Sequence, residues 1–179
     1  MSKIFLSVSC LVVIFTLTLC STQINAQAPA ISKKYSEQKV YELIMRYNTL
    51  NKYNGAANAA VSKAFGRDFP NAYDIEWETN DDIYEVEFEI RNRDFKAYYD
   101  KEGNLIIYKQ DITVAELPAN VNKAIKALYP KYRLDDVDKI VSANQTYYKV
   151  ELEYGEHETT VYVDSKGKQL DNVPLYWLS

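Results

Sequence analysis

The chain has little of what most catalytic and metal-binding sites are built from. Its 179 residues include two cysteines, five glycines, five prolines and a single histidine. Cys10 and Cys20 both fall within the first twenty residues, so the rest of the chain has no thiol for a disulfide or a metal site. A hydrophobic core must therefore hold the fold, and about 150 residues are enough to bury one.

The sequence has few residues in patterns that could carry out catalysis. The one histidine, His157, lies between Glu156 and Glu158 in what reads as a hairpin tip, where a lone histidine is more often solvated than catalytic. A nucleophilic triad would depend on that residue. The glycines are scattered at turns, and the sequence has no phosphate-binding loop or two-histidine metal spacing. We therefore predict no enzymatic activity, no cofactor and no metal site.

The first 26 residues have the layout of a secretory signal peptide. Lys3 precedes an apolar stretch from Ile4 to Leu19, and small residues follow. Cleavage after Ala26 is preferred, because cleavage after Ala28 would place Pro29 first in the mature chain. The stretch of 16 residues is shorter than the roughly 20 of a spanning helix, which disfavours a membrane anchor. We expect a periplasmic or secreted protein without stable membrane insertion after cleavage.

Cys20 is the one candidate for lipid attachment. It ends the run Leu17-Thr18-Leu19-Cys20, and Leu19 occupies the position where a lipidated cysteine is preceded by a small residue. This mismatch disfavours a lipoprotein anchored through Cys20.

The charge of the predicted mature chain is acidic. Without Lys3 the chain carries 20 Lys and Arg against 25 Asp and Glu, a net charge of −5. An acidic chain without a basic cluster is a poor partner for nucleic acid or for anionic membrane surfaces.

An internal repeat organises most of the chain. Sixty residues separate one set of matching positions, which pairs Val61, Lys63, Ala64, Phe69 and Pro70 with Val121, Lys123, Ala124, Tyr129 and Pro130. Sixty-four residues separate a second set, which pairs Tyr84 to Glu89 with Tyr148 to Glu153 and Asp100-Lys101-Glu102-Gly103 with Asp164-Ser165-Lys166-Gly167. Order, spacing and chemistry agree across three blocks, so we interpret the repeat as a duplication.

Each copy is predicted to be one helix followed by four strands. The helices run from Asn58 to Asp68 and from near Pro118, and each ends before a proline, because the residue preceding proline is disfavoured in the α region. Alternation of apolar and acidic residues from Tyr84 to Ile90 is typical of a half-buried strand. The predicted strands are 75–77, 84–90, 95–99 and 105–108 in the first copy, and 137–141, 148–154, 159–163 and 169–173 in the second.

These elements predict an α+β fold of two tandem modules, each a helix packed on a four-stranded antiparallel sheet. We place the modules at residues 57–115 and 116–179. Residues 27–56 hold a tail and an extra amphipathic helix between Tyr35 and Tyr53, which we expect to dock on the first module.

Several motifs resemble a known family. The matching residues are Phe69-Pro70-x-Ala72, Trp77-Glu78, Tyr84-x-Val86-x-Phe88, Asp100-x-x-Gly103-Asn104-Leu105 and Leu117-Pro118. Over about residues 57–173 the chain resembles the PepSY-like, β-lactamase-inhibitor-like family of small exported bacterial proteins. The resemblance implies the helix-on-sheet module and no established activity. The family name refers to a likeness in fold to a β-lactamase inhibitory protein, whose curved sheet presents aromatic residues, and fold does not transfer function.

Tyrosine is unusually frequent, with sixteen residues. Strand parity places Tyr98 and Tyr162 on the sheet face away from the helices, together with the glutamates of the alternating strand. Aromatic rings mixed with charges are typical of protein-binding surfaces, although cross-strand aromatic pairs can also stabilise a solvated sheet. The predicted partner-binding residues are Trp77, Glu85, Glu87, Tyr98, Tyr108 and Tyr162.

The sequence thus favours an exported, non-catalytic binding module that engages a protein or peptide through open sheet faces. In one version of this hypothesis the module inhibits its partner. One alternative is a carrier or sensor of a small ligand in a cleft between the modules. Another is a purely structural envelope component. The row Glu85, Glu87 and Glu89 could also suggest a cation or glycosidase site, but a solvated row of carboxylates lacks the burial that tunes a catalytic acid.

Overall fold

A computed structural model describes residues 28–170. Helix α1 (Glu37–Thr49) and a two-residue strand β1 (Tyr53–Asn54) come first. The first copy contains α2 (Ala59–Asp68), β2 (Tyr73–Thr79), β3 (Ile83–Glu89), β4 (Asp94–Asp100) and β5 (Leu105–Asp111). After a 3-10 turn (Val114–Glu116), the second copy contains α3 (Ala119–Leu128), β6 (Arg133–Ser142), β7 (Thr146–Tyr154) and β8 (His157–Asp164). The predicted α+β fold is confirmed, and β1 is an addition to it.

Some predictions fall outside the described residues. These are the signal peptide with its cleavage site, lipidation at Cys20, and positions 171–173 of the last predicted strand. The module boundaries at 57–115 and 116–179 stay predictions. Between residues 28 and 170, no helix is long and apolar enough to cross a membrane.

The eight strands form one antiparallel sheet in chain order. Strand β5 pairs with β6, so that Ile107 lies opposite Ser142 and Asp111 lies opposite Asp138. The two copies therefore share a continuous sheet.

The two copies build the same turn after their third strand. Gly103 and Gly167 have φ values of +82° and +87°, in the left-handed region that favours glycine. A Cβ on Gly103 would lie 2.7 Å from the carbonyl oxygen of Ala60, and one on Gly167 would lie 2.8 Å from the Cβ of Ala124. Each turn is thus pressed against the helix of its own copy. The contacts are equivalent, since Gly103 also approaches the Cβ of Ala64 and Gly167 the carbonyl oxygen of Asn120.

Helices α2 and α3 cover the same face of the sheet. The side chain of Asn58 caps α2 by accepting hydrogen bonds from the backbone N–H groups of Ala60 and Val61. Under α2 the core is aromatic, with the rings of Phe69 and Phe88 4.6 Å apart. The core under α3 is mostly aliphatic and includes Val121, Ile125, Leu134, Val137, Val150, Leu152, Val161 and Val163.

Helix α1 crosses the opposite face and contacts both copies. Its buried residues Val40, Ile44 and Tyr47 pack on side chains of β3 to β7, namely Ile83, Tyr98, Ile106, Ile107, Ile140 and Tyr147. At its first turn, Glu37 accepts hydrogen bonds from the β6–β7 turn, including one from Gln145 Nε2 at 3.1 Å. Helix α1 therefore docks on the first module, as expected, and also on the second. The expectation that the reverse face of the sheet is solvated is wrong where α1 covers it. An apolar stripe in the sequence shows that one face of a helix is buried, but it does not show which surface covers that face.

Candidate functional site

Two of the predicted binding residues lie on the helix-covered face. Trp77 is opposite Val86, and its ring lies 5.2 Å from that of Phe65 on α2. Tyr108 is buried 5.8 Å from the ring of Phe69. Placing them on the open face was wrong, because register shifts in β2 and between β4 and β5 break the simple alternation of side chains.

Tyr98 and Tyr162 lie on the predicted face, but in different environments. Tyr98 is only 4% exposed, because Tyr47 of α1 packs edge-on against it at 5.8 Å. Its hydroxyl donates to the carboxylate of Glu85, and burial followed by that negative charge raises the pKa of Tyr98. Tyr162 lies opposite Lys149 and is half-buried. The expectation of an exposed aromatic surface at Tyr98 is therefore wrong.

Beside α1, the reverse face carries a row of ionic side chains across five strands. We call it the charged strip, and its residues are Glu85, Glu87, Lys96, Lys109, Asp138, Lys149 and Glu151. They come from β3 to β7. Strand pairing brings these alternate residues of neighbouring strands side by side on one face. The strip keeps two of the predicted residues, Glu85 and Glu87, together.

Lysines form the floor of the charged strip. The Nζ atom of Lys96 lies 3.3 Å from Glu85 Oε1 and 2.7 Å from Glu87 Oε1. In the second copy, the Nζ atom of Lys149 lies 2.8 Å from Glu151 Oε1. The lysines are half-buried, whereas the side chains of Glu87 and Glu151 are 54% and 45% exposed. The strip therefore presents carboxylates, not ammonium groups, to solvent.

Buried Asp138 joins the two halves of the strip. It is held between Lys109, whose Nζ lies 3.4 Å from Asp138 Oδ2, and Lys149, whose Nζ lies 3.7 Å from the same atom. Burial raises the pKa of Asp138, and the two lysines oppose that effect. Lys96 and Lys109 face each other across β4 and β5, and the acid beside each offsets their repulsion.

Further carboxylates lie around Asp111 at the end of β5. Burial, and then the charges of Asp136, Asp138 and Asp94, raises the pKa of Asp111. Such a shift indicates that several carboxylates converge on one region. Within residues 28–170, no group of three or more His, Cys, Asp or Glu side chains is arranged to hold a metal ion. The arrangement favours ionic recognition of a partner.

A cleft of about 220 Å³ lies elsewhere, between α1 and two turns of the first copy. Its lining mixes charged residues with Tyr35, Leu43, Tyr47 and Ile83. Beside it, Asp100 accepts hydrogen bonds from Lys34 Nζ at 2.9 Å and from the Tyr35 hydroxyl at 2.6 Å. This cleft is not the one of the small-ligand alternative, which would lie between the modules, where β5 and β6 are paired.

Sequence reasoning missed an aromatic surface at the end of α3. We call it the tyrosine patch, and it consists of Leu128, Tyr129, Tyr132 and Tyr154. Ring centroids of Tyr132 lie 5.9 Å from Tyr129 and 5.7 Å from Tyr154, and Leu128 is 55% exposed. The repeat held a signal for it, because the corresponding positions of the first copy are Asp68, Phe69, Ala72 and Ile90.

Comparison with known proteins matches the chain to one family over most of its length. The family described as "Putative beta-lactamase-inhibitor-like, PepSY-like" matches residues 54–107 and 108–171. No curated protein matches the chain at a significant level.

Solved structures of low sequence identity share the fold. A BLIP-like protein from Bacteroides fragilis is 23% identical with a TM-score of 0.56, over 65% of this chain and 84% of that one. A DUF2874 family protein from Bacteroides uniformis is 19% identical with a TM-score of 0.58, over 69% and 94%. A putative periplasmic protein from Bacteroides eggerthii is 20% identical with a TM-score of 0.57, over 65% and 87%. With the family matched in two tandem segments, the chain belongs to the PepSY-like, β-lactamase-inhibitor-like family.

Proposed function

We propose that this protein is an exported, non-catalytic binding module that holds a basic segment of a protein partner on the charged strip. Membership of an inhibitor-like family supports a binding role. The observation that carries the proposal is the arrangement of the strip, in which paired lysines lie on the floor and carboxylates reach solvent.

The charge order of the strip favours a cationic partner. Lys96 and Lys149 are already paired with acids of the sheet, so they have little capacity left for a partner carboxylate. Glu87 and Glu151 keep exposed oxygens that can accept hydrogen bonds from arginine or lysine. The negative region around Asp111 extends the same preference. Charge complementarity of this kind steers association and selects partners.

The rigidity of the strip also suits recognition. Each exposed glutamate is tied to a half-buried lysine on a paired strand, so binding orders few side chains and costs little conformational entropy. Glu87 and Glu151 are equivalent residues of the two copies, which allows a partner to contact both modules at once.

Export is part of the proposal. The signal-peptide layout of residues 1–26 supports it, and the related Bacteroides eggerthii structure is described as a putative periplasmic protein. Inhibition would follow if the bound segment belonged to a catalytic site of the partner.

Charge reversal tests the proposal. A Glu87→Lys/Glu151→Lys variant and a control Glu42→Lys/Glu156→Lys variant change the net charge equally, and the control glutamates are exposed residues of α1 and the β7–β8 turn that do not belong to the strip. Proteins bound from native envelope extract are identified by mass spectrometry, and the affinity of each purified candidate is measured. We expect the partner to bind the wild type and the control alike and the strip variant at least tenfold more weakly, about 1.4 kcal/mol.

Salt provides a second measurement. Binding through the strip should weaken as ionic strength rises from 0.05 to about 0.5 M, since screening shortens the range of exposed charges. Equal binding by the strip and control variants would show that the partner contacts another surface.

A further inference from the structure

Helix α1 and the charged strip lie side by side on the reverse face of the sheet. The buried side chains of α1 pack on residues of β3 to β7, the same five strands that carry the strip. The thirteen residues of α1 measure about 20 Å, and five paired strands measure about 19 Å across. The helix is therefore a wall along the whole strip, and the two together form a groove with an ionic floor.

One flank of α1 faces this groove. Leu43 and Arg46 line the cleft on the other flank. Because a helix has 3.6 residues per turn, Tyr41 and Met45 lie on the flank away from that cleft. Tyr41 is 36% exposed. The wall of the groove thus offers an aromatic ring and a thioether beside the carboxylates of the strip.

The chain itself places a cation at the β3 end of the groove. The Nζ atom of Lys52 lies 4.9 Å from the centroid of the Tyr47 ring. The same atom lies 3.1 Å from Glu78 Oε2 and 3.9 Å from Glu85 Oε2. The hydroxyl of Tyr47 is buried and has no hydrogen-bond partner within residues 28–170. This end of the groove therefore holds a positive charge between an aromatic ring and carboxylates, and it keeps one polar group without a partner.

Arginine is the side chain that suits both the wall and the strip. Its guanidinium binds a carboxylate through two parallel hydrogen bonds and stacks on aromatic rings, whereas the ammonium of lysine is a point charge. Tyr41 offers the ring, and Glu87 and Glu151 offer exposed carboxylates.

The distance between the two exposed glutamates sets the length of a partner segment. Strand pairing places Glu87 of β3 and Tyr147 of β7 in one row straight across the sheet. Glu151 lies four residues beyond Tyr147 along β7. Four strand intervals of about 4.8 Å and four residues of about 3.3 Å separate Glu87 from Glu151 by roughly 23 Å. An extended chain covers this distance in about seven residues, whereas a helix needs about fifteen.

The floor of the groove favours an extended chain. A partner helix docks by burying an apolar stripe, and the strip offers half-buried lysines and acids instead. We propose that the partner segment is an extended chain that lies along α1 and carries two arginines six or seven residues apart, one on Glu87 and one on Glu151. The inference rests on the proposed function and adds the conformation, the residue type and the spacing.

Two rigid peptides test the spacing. Polyproline advances about 3.1 Å per residue with about three residues per turn, so arginines six or three positions apart lie on the same side of the chain. The probes are blocked peptides with one arginine at each end of five prolines, about 19 Å apart, or of two prolines, about 9 Å apart. We expect the longer peptide to bind the wild type about fivefold or more tightly than the shorter one, measured by NMR titration.

Charge reversal separates this inference from the proposed function. Equal affinities for two peptides that both bind Glu87→Lys/Glu151→Lys more weakly would overturn the extended arrangement and leave the strip as the binding surface. Affinities that the charge reversal does not change would overturn the proposed function as well.

Tyr41→Ala tests the wall of the groove. It should weaken binding of the longer peptide about threefold, because it removes the ring on which a guanidinium stacks. Tyr154→Ala is the matched control, since it removes an exposed ring of the tyrosine patch and should leave the affinity unchanged. Circular dichroism checks that both variants are folded. An unchanged affinity in Tyr41→Ala, or an equal loss in both variants, overturns the placement of the segment along α1.

Discussion

The two copies keep the same turns but have different surroundings. Tyr98 and Tyr162 are equivalent residues, yet the first is covered by α1 and the second is half-buried. Asp100 and Asp164 begin equivalent turns, yet only Asp100 also accepts hydrogen bonds from the segment before α1. The difference shows that duplication preserved the backbone geometry. The N-terminal segment buries side chains of the first copy whose equivalents in the second copy are more exposed.

The largest expected effect is a difference in unfolding free energy between alanine variants of Tyr98 and Tyr162. Tyr98→Ala should lower the free energy of unfolding by about 3–4 kcal/mol, because it removes a buried ring that packs on Tyr47. Tyr162→Ala should cost about 1–2 kcal/mol, because its ring is half-buried. Urea unfolding followed by circular dichroism measures both.

Tyr98→Phe is the control for this comparison. It keeps the ring and removes only the hydroxyl that donates to Glu85, so about 1–2 kcal/mol should be lost. Equal losses for Tyr98→Ala and Tyr162→Ala would mean that α1 does not cover the sheet in solution.

The repeat and the strand alternation predicted most of the fold. Both signals are local, since glycine at a tight turn, proline after a helix and alternation along β3 each reflect the geometry of a few residues. The position of α1 was not predictable in this way. Its apolar stripe matches either face of a sheet, and contact with β6 and β7 depends on how the modules join.

The candidate site was predicted less well for a related reason. Alternation assigns side chains to faces only while the register is regular, and bulges beside Trp77 and Tyr108 reversed their assignment. Glu87 needed no such correction, because β3 and β4 pair without a shift. The charged strip was therefore visible in part from the sequence, as the polar face of β3.

The pair Asp100 and Asp164 should respond differently to acid. Burial alone would raise the pKa of Asp100, but hydrogen bonds from Lys34, Tyr35 and Asn104 lower it to about 2. A carboxylate with a lowered pKa stabilises the fold above its unfolded value near 4 and loses that contribution as pH falls toward 2. We expect about 2 kcal/mol of the unfolding free energy of the wild type to be lost through Asp100 between pH 5 and pH 2.

Urea unfolding at the two pH values measures this loss. In Asp100→Asn the pH dependence should be shallower by that amount, and the variant should be less stable at pH 7. Asp164→Asn is the matched change in the second copy. There, within residues 28–170, the carboxylate accepts hydrogen bonds from the turn amides of Lys166 and Lys168 alone, so about 1 kcal/mol should be lost at pH 7. If Asp100→Asn keeps the full acid dependence, other carboxylates are responsible for it.

The smallest effect is expected where the copies are most alike. Glu87→Gln and Glu151→Gln should each change the free energy of unfolding by about 0.5 kcal/mol or less, because the carboxylates of both ion pairs are exposed to solvent. Glu85→Gln is the contrasting change, since Glu85 is buried between Lys52 and Lys96 and its neutralisation should cost about 2 kcal/mol. A loss of unfolding free energy above about 1 kcal/mol in either variant would show that Glu87 or Glu151 stabilises the fold. Near-zero losses leave their charge available for binding, and the effect of Glu87→Lys/Glu151→Lys on a partner can then be read without correction for unfolding.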